Sequence, residues 1–232
     1  MNEIISPFIT GNIIKDPDKF WGREIECQNL LSRIKNMGST SIICPRRIGK
    51  SSLAYNILRK GQSLLSDKDY EFVWLDGQSN HSLSVDLFFK SISENSSLSY
   101  RSGKIPKESL INFEDSVKKH SKKLIIIINE FEILTDEEHI LEFGKQFYNT
   151  LRMLSEQSYC AIITTFCKSL KVLCKKILGI SSPFYNIFEE IPLKNFTIEE
   201  SESFLRSKHG DIILKDKEIL FIKKIFLNIS TL

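Results

Sequence analysis

The chain has 232 residues, 41% hydrophobic and 26% charged, which suits one large α/β domain, with or without a small appendage, and a packed core. A net charge of +3 is too mild to demand a nucleic-acid partner. The longest apolar run, 124–128, is far too short to cross a bilayer, and residues 1–10 lack the basic start and apolar core of a secretory leader. No membrane association is expected, and the expected compartment is cytoplasmic.

Residues 1–19 read as an irregular lead-in, punctuated by Pro7, Gly11, Asn12 and Pro17. Residues 24–36 place Leu30, Leu31 and Ile34 on one face of an amphipathic helix. A short apolar strand follows over 39–44. After a tight loop, a helix starts near Lys50 with Leu53, Ile57 and Leu58 facing inward. Residues 71–75 read as the second strand. Residues 85–92 and 110–120 read as helices, with a polar loop over 94–107. Residues 122–128 are continuous and β-branched, as in a strand buried on both faces. A long helix is expected over 138–154, a strand over 159–165 and a last strand over 188–193. Helices over 197–207 and 216–226 close the chain, the first opened by Thr197 and Glu200 as a capping box. Strands alternating with helices imply a parallel sheet covered on both faces.

Sixteen phenylalanines against six tyrosines and two tryptophans suggest filled apolar layers more than a stacking platform. Cys27, Cys44, Cys160, Cys167 and Cys174 are odd in number and contain no Cys-x-x-Cys pair, so neither a disulfide framework nor a zinc site is read from them. His81, His120, His139 and His209 show no ligand spacing.

The segment after the first strand is Cys44-Pro45-Arg46-Arg47-Ile48-Gly49-Lys50-Ser51-Ser52. It fits the phosphate-loop pattern G-x-x-x-x-G-K-[ST], with Cys44 in place of the first glycine. Free backbone N–H groups at a helix start attract phosphate oxygens. Gly49 allows close backbone approach, Lys50 neutralises β- and γ-phosphate charge, and the Ser51 hydroxyl ligates Mg²⁺. If the first position needs a left-handed backbone, Cys44 costs about 1–2 kcal/mol relative to glycine.

The apolar run 124–128 ends in Asn129-Glu130. P-loop ATPases end this strand in Asp-Glu. There the Asp holds Mg²⁺ and the Glu polarises the attacking water. Asn129 accepts from a metal-bound water but carries no charge, so Mg²⁺ is held less firmly. Glu130 stands as the candidate catalytic base.

With these segments, the chain resembles the STAND branch of the AAA+ and related P-loop NTPases, in particular the bacterial AAA-like ATPases. Phe20-Trp21-Gly22-Arg23-Glu24-Ile25-Glu26 is similar to the hhGRExE box, and Pro45 to Leu53 to the P-R-R-x-G-K-[ST]-S-L core. Residues 124–131 are similar to the Walker B strand, and residues 182–201 to the last core strand and the helix after it. The resemblance implies a P-loop three-layer sandwich around a central parallel five-stranded sheet, the phosphate-loop strand in its middle, with a short C-terminal helical extension. The lead-in is then 1–19, the nucleotide-binding core 20–195, and 196–232 the start of an incomplete helical lid. It also implies ATP, favoured over GTP, with Mg²⁺. The nucleotide would lie against Gly22, Arg23, Pro45, Arg46, Arg47, Ile48, Gly49, Lys50, Ser51 and Ser52, and the metal against Ser51 and Asn129. The box around Gly22 and Arg23 would pack near the base or sugar.

Arg46 and Arg47 are read either as phosphate or neighbouring-subunit contacts or as solvated loop charges. Thr164 and Thr165 are either sensor-type residues or an ordinary strand end. Three functions follow: an ATP/ADP-dependent switch with slow hydrolysis that works through protein partners or self-assembly, a non-hydrolysing nucleotide-bound scaffold, and a DNA-associated ATPase. Only the basic runs 168–176 and 215–224 support the last.

Overall fold

The computed structural model describes residues 11–65, 69–79, 83–135, 139, 142–167, 169, 183–207 and 213–229. The order is α1 (Glu24–Lys35), β1 (Thr40–Ile43), α2 (Lys50–Leu65), β2 (Tyr70–Asp76), α3 (Val85–Glu94), α4 (Pro106–Lys119), β3 (Lys123–Asn129), α5 (Lys145–Glu156), β4 (Cys160–Phe166), β5 (Glu189–Pro192), α6 (Ile198–Arg206) and α7 (Asp216–Ile229). Short 3-10 turns occupy Pro17–Lys19, Phe131–Thr135 and Pro183–Ile187.

The five strands form one sheet in the order β2-β3-β4-β1-β5, and every pairing is parallel. The phosphate-loop strand β1 is therefore interior, between β4 and β5, and the central strand is β4. Parallel neighbours need crossovers, and the helices that supply them must cover both faces.

Strand β3 shows why. Leu124, Ile126 and Ile128 point into one core and Ile125 and Ile127 into the other, all at most 1% exposed. On the first face, α3, α4 and α5 contribute Phe88, Phe89, Phe113, Phe147 and Tyr148. Phe89 and Phe113 stack with ring centroids 3.9 Å apart. On the second face, α1 and α2 contribute Leu30, Ile34, Leu53, Ile57 and Leu58. Each such side chain contributes about 1.5–3 kcal/mol on full burial. The phenylalanines fill these layers as their number suggested.

Differences from the sequence reading are local. Helix α4 begins at Pro106, four residues before the apolar periodicity starts, because proline is pre-organised for the first helical turn. The expected helix 138–154 is replaced, within the described residues, by a helix that starts only at Lys145. Gly144 is extended (φ −63°, ψ 176°) and caps it. Thr197 and Glu200 form the expected capping box, with Glu200 N–H donating to Thr197 Oγ1 at 3.1 Å and Thr197 N–H to Glu200 Oε2 at 2.7 Å. The basic run 168–176 lies, apart from Ser169, outside the described residues.

Candidate phosphate-loop site at the strand ends

Strands β1, β3 and β4 end at the same edge of the sheet, and the residues that follow them meet there. Alternation along a strand fixes which face each residue occupies. Ile127 on β3 and Ile163 on β4 point into the core beneath α2, so Asn129 and Thr165, two residues on, share that face.

The loop from Cys44 to Gly49 leaves β1 and delivers the chain into α2, whose first residue is Lys50. Pro45, Arg46, Arg47 and Gly49 are exposed, Ile48 and Ser51 half-buried, and Lys50 and Ser52 buried. Gly49 has φ 98°, and a Cβ there would meet nothing within 4 Å. The glycine is required by its backbone, and its face opens onto free space. Arg47 also sits in the left-handed region at φ 69°, a strain of about 1–2 kcal/mol for a residue with a side chain. Cys44 is not among the left-handed residues. The first position therefore needs no glycine for its backbone, and the strain conditionally expected at Cys44 falls on Arg47.

Lys50 is 6% exposed, and its Nζ donates to Cys167 Sγ at 3.3 Å, just past the end of β4. Burial raises the Cys44 thiol above its ordinary range, while the Lys50 ammonium and the Lys50 backbone N–H draw it down. Ser52, expected at the nucleotide, has its hydroxyl accepting the Ile14 N–H at 3.0 Å, which ties the lead-in to α2.

Across the sheet edge, the Thr165 hydroxyl donates to Asn129 Oδ1 at 2.9 Å and accepts the Glu130 N–H at 2.8 Å. Glu130 lies in the left-handed region at φ 53°, and its carboxylate accepts from the Gln78 side-chain amide. Gly77 N–H donates to Asn129 O at 2.8 Å, and a Cβ at Gly77 would collide with the Glu130 carbonyl. The turn after β2 therefore packs directly on the turn that carries Glu130. Gln78 and Cys167 were missed in sequence. Neither belongs to a motif, and the only signal was a Gly-Gln pair directly after a strand and a cysteine directly after another.

Gly22 and Arg23 pack on the segment that follows β5, the strand beside β1. Arg23 is 9% exposed. Its guanidinium donates to Lys194 O at 2.7 Å, pairs with Glu26 at 3.1 Å and lies 4.3 Å from the centre of the Phe196 ring. Trp21 packs on Phe196 and Phe204 with centroids 5.5 and 5.4 Å away. The box thus anchors α6 to the core through side chains from both segments.

The arrangement fits a polyphosphate. It offers open space beside Gly49, a buried cation at Lys50 and the amide-bearing start of a 16-residue helix. It fits Mg²⁺ less fully. Ser51 offers a hydroxyl, Asn129 is neutral with one lone pair already taken by Thr165, and no group of three or more His, Cys, Asp or Glu among the described residues is placed to hold a metal. No helix among the described residues is long and apolar enough to cross a membrane.

Residues 29–208 match the family described as novel STAND NTPase 2. Among solved structures, the chain is similar to the Walker-type ATPase PABY2304 of Pyrococcus abyssi, with 18% identity and a TM-score of 0.61 over 90% of this chain and 64% of that one. It is also similar to the Aeropyrum pernix ORC2 protein in its ADPNP-ADP complexes, with 14% identity and a TM-score of 0.64 over 91% and 57% of the two chains. The Aeropyrum pernix ORC1 protein in complex with DNA gives 14% identity and a TM-score of 0.61 over 87% and 54%. At these identities the likeness is one of fold. The chain spans between 54% and 64% of the length of these three proteins. A search of curated proteins by sequence finds no match.

Proposed function

The chain belongs to the novel STAND NTPase 2 family, and we propose that it is an ATP-binding domain whose nucleotide state acts as a switch, with slow hydrolysis. The observation that carries this reading is the buried Lys50 at the start of α2, beside the open face of Gly49 and on the same sheet edge as Glu130.

A bound nucleoside triphosphate would supply the phosphoanhydride bond that is cut, and its Mg²⁺ the charge that neutralises the β- and γ-oxygens. The chain's own residues do the rest. Amides at the start of α2 and the Lys50 ammonium bind phosphate charge, with Pro45 to Ser52 shaping the loop. Ser51 and Asn129 would hold the metal, Ser51 by its hydroxyl and Asn129 by its side-chain amide oxygen. Glu130 takes the proton of the attacking water. Thr165 fixes Asn129 and the Glu130 backbone, which is the work of a sensor residue at the end of β4.

Two features support slow turnover. The neutral Asn129 leaves the metal without a carboxylate from β3. The Gln78 amide donates to the Glu130 carboxylate and occupies one of its oxygens until that contact opens. The same features support a second reading, a nucleotide-bound scaffold that does not hydrolyse. A switch needs an element to move. The α6 segment, held by Trp21 and Arg23 through Phe196 and Phe204, is the natural one, and its displacement would change contacts with protein partners or further copies of the chain. The DNA-associated reading gains no support from the described residues.

The test is isothermal titration with ATP, ADP and GTP, with and without Mg²⁺, beside a phosphate-release assay. ATP–Mg²⁺ should bind, and Lys50→Ala should abolish binding. Absence of ATP binding by the wild-type chain would overturn the proposal. Phosphate release that depends on Glu130 would exclude the scaffold.

A further inference from the structure

We propose that Cys44 and Cys167 are a thiol pair that closes into a reversible disulfide across the phosphate loop and makes nucleotide binding redox-dependent. The effect on nucleotide rests on the functional reading above, but formation of the bond does not.

The pairing follows from register. Ile43 on β1 faces Phe166 on β4, and the next residues along the two parallel strands are Cys44 and Cys167. The Cys44 N–H donates to Phe166 O at 3.2 Å, so the two chains remain bonded at this step. Ile42 and Ile163 point beneath α2 while Phe166 points to the other core. Alternation therefore returns both cysteines to the α2 side of the sheet. Neighbouring strands lie about 4.7–4.9 Å apart, inside the Cα separation of about 4.4–6.8 Å that a disulfide spans.

Lys50 brings the two sulfurs under one cation. Its ammonium bonds Cys167 Sγ, while at Cys44 burial raises the thiol and Lys50 offsets only part of that rise. The thiolate is the reactive species of a cysteine. Cys167 is half-buried and open to a small oxidant, whereas Cys44 is 3% exposed. Cys160 offers the contrast. It is fully buried, and burial pushes its thiol up to about 12.

The chemistry takes a peroxide as oxidant. The Cys167 thiolate attacks one peroxide oxygen, an S–O bond forms, the O–O bond breaks, and the departing hydroxide takes a proton to leave as water. The Cys44 thiol then attacks the sulfenic sulfur. The S–S bond forms, the S–O bond breaks, and hydroxide leaves with the Cys44 proton as a second water. Two thiols are oxidised and one peroxide becomes two waters. A dithiol reverses the bond. Once closed, it pins the first residue of the phosphate loop to β4 and removes the sulfur partner of Lys50, so the loop can no longer adjust around phosphate.

The experiment treats the full wild-type chain with stoichiometric hydrogen peroxide, blocks remaining thiols, digests with trypsin and reads cross-linked peptides by mass spectrometry. Cys44 lies alone on peptide 36–46. Cys167 shares 153–168 with Cys160, and fragmentation separates the two, while Cys174 lies on 172–175. A Cys44–Cys167 link is expected. Oxidation should weaken ATP binding about tenfold or more, with recovery in dithiothreitol, and in Cys167→Ser the ratio of oxidised to reduced affinity should fall to about one. No link, or a link from Cys167 to Cys160 or Cys174, overturns the pairing. A link that leaves ATP affinity unchanged overturns the gating. If the reduced chain binds no ATP, the functional reading falls and the gating with it, while the cross-link result still decides the pairing. Should Cys167→Ser fail to fold, the wild-type link and its reversal decide.

Discussion

The Thr165 hydroxyl on β4 donates to Asn129 Oδ1 on β3 at 2.9 Å, with Thr165 wholly buried and Asn129 3% exposed. The same oxygen accepts the Glu130 N–H. One hydroxyl thus fixes both polar residues that end the acidic strand.

Replacing Thr165 by valine keeps the shape and leaves the Asn129 oxygen and the Glu130 amide without their partner. A buried polar group so orphaned costs about 1–3 kcal/mol. Thr165→Val should lower unfolding stability by that amount in urea titrations and lower phosphate release further than the stability loss explains. Wild-type stability in this variant would mean that water replaces the hydroxyl.

Asn129→Asp tests the missing carboxylate. Thr165 can still donate to the new oxygen, so the geometry is kept. The Mg²⁺ concentration needed for half-maximal ATP binding should fall about tenfold, and turnover should rise. Without Mg²⁺ the buried charge should destabilise the fold, visible as a lower midpoint in urea that Mg²⁺ and ATP together restore. Unchanged Mg²⁺ dependence would show that Asn129 does not face the metal.

Gly61 in α2 packs against the Phe72 ring on β2, where an added Cβ would collide with ring atoms. Alanine is the better helix former by about 1 kcal/mol, yet Gly61→Ala should destabilise by about 1–3 kcal/mol because the core is overpacked. Combining it with Phe72→Leu should recover part of that loss, and a double-mutant cycle measures the coupling.

Asp86 Oδ1 accepts from the Tyr100 hydroxyl at 2.5 Å, Ser109 at 2.9 Å and the Gly103 N–H at 3.1 Å, joining the start of α3 to α4. Burial alone would raise its pKa, but these hydrogen bonds outweigh it and hold the carboxyl below its ordinary 3.8. A carboxyl depressed in the folded state contributes stability above the unfolded value, and that contribution is lost as pH falls through the lower folded value. Asp86→Asn should cost about 1–2 kcal/mol at neutral pH and flatten the acid limb of stability below about pH 4. An acid limb identical to wild type would assign the transition to other carboxylates.

The sequence by itself determined the order of elements and the phosphate loop, because both are written in local signals. The β-branched run 124–128 alternates between two cores and reads as a strand buried on both faces. Gly49-Lys50-Ser51 between a strand and a helix reads as an anion cradle, and Thr197 with Glu200 as a cap. Boundaries slipped where one residue overrode periodicity, as Pro106 and Gly144 did.

Tertiary structure decided what no local pattern holds. Strand order placed β4 rather than β1 at the centre of the sheet, and so set Thr165 against Asn129 and Cys167 against Lys50, each across more than thirty residues of chain. The turn after β2 brought Gln78 to Glu130 in the same way. These pairings depend on lateral register between strands distant in sequence. Register is set by packing of the two whole faces, so the residues concerned carry no mark of it along the chain.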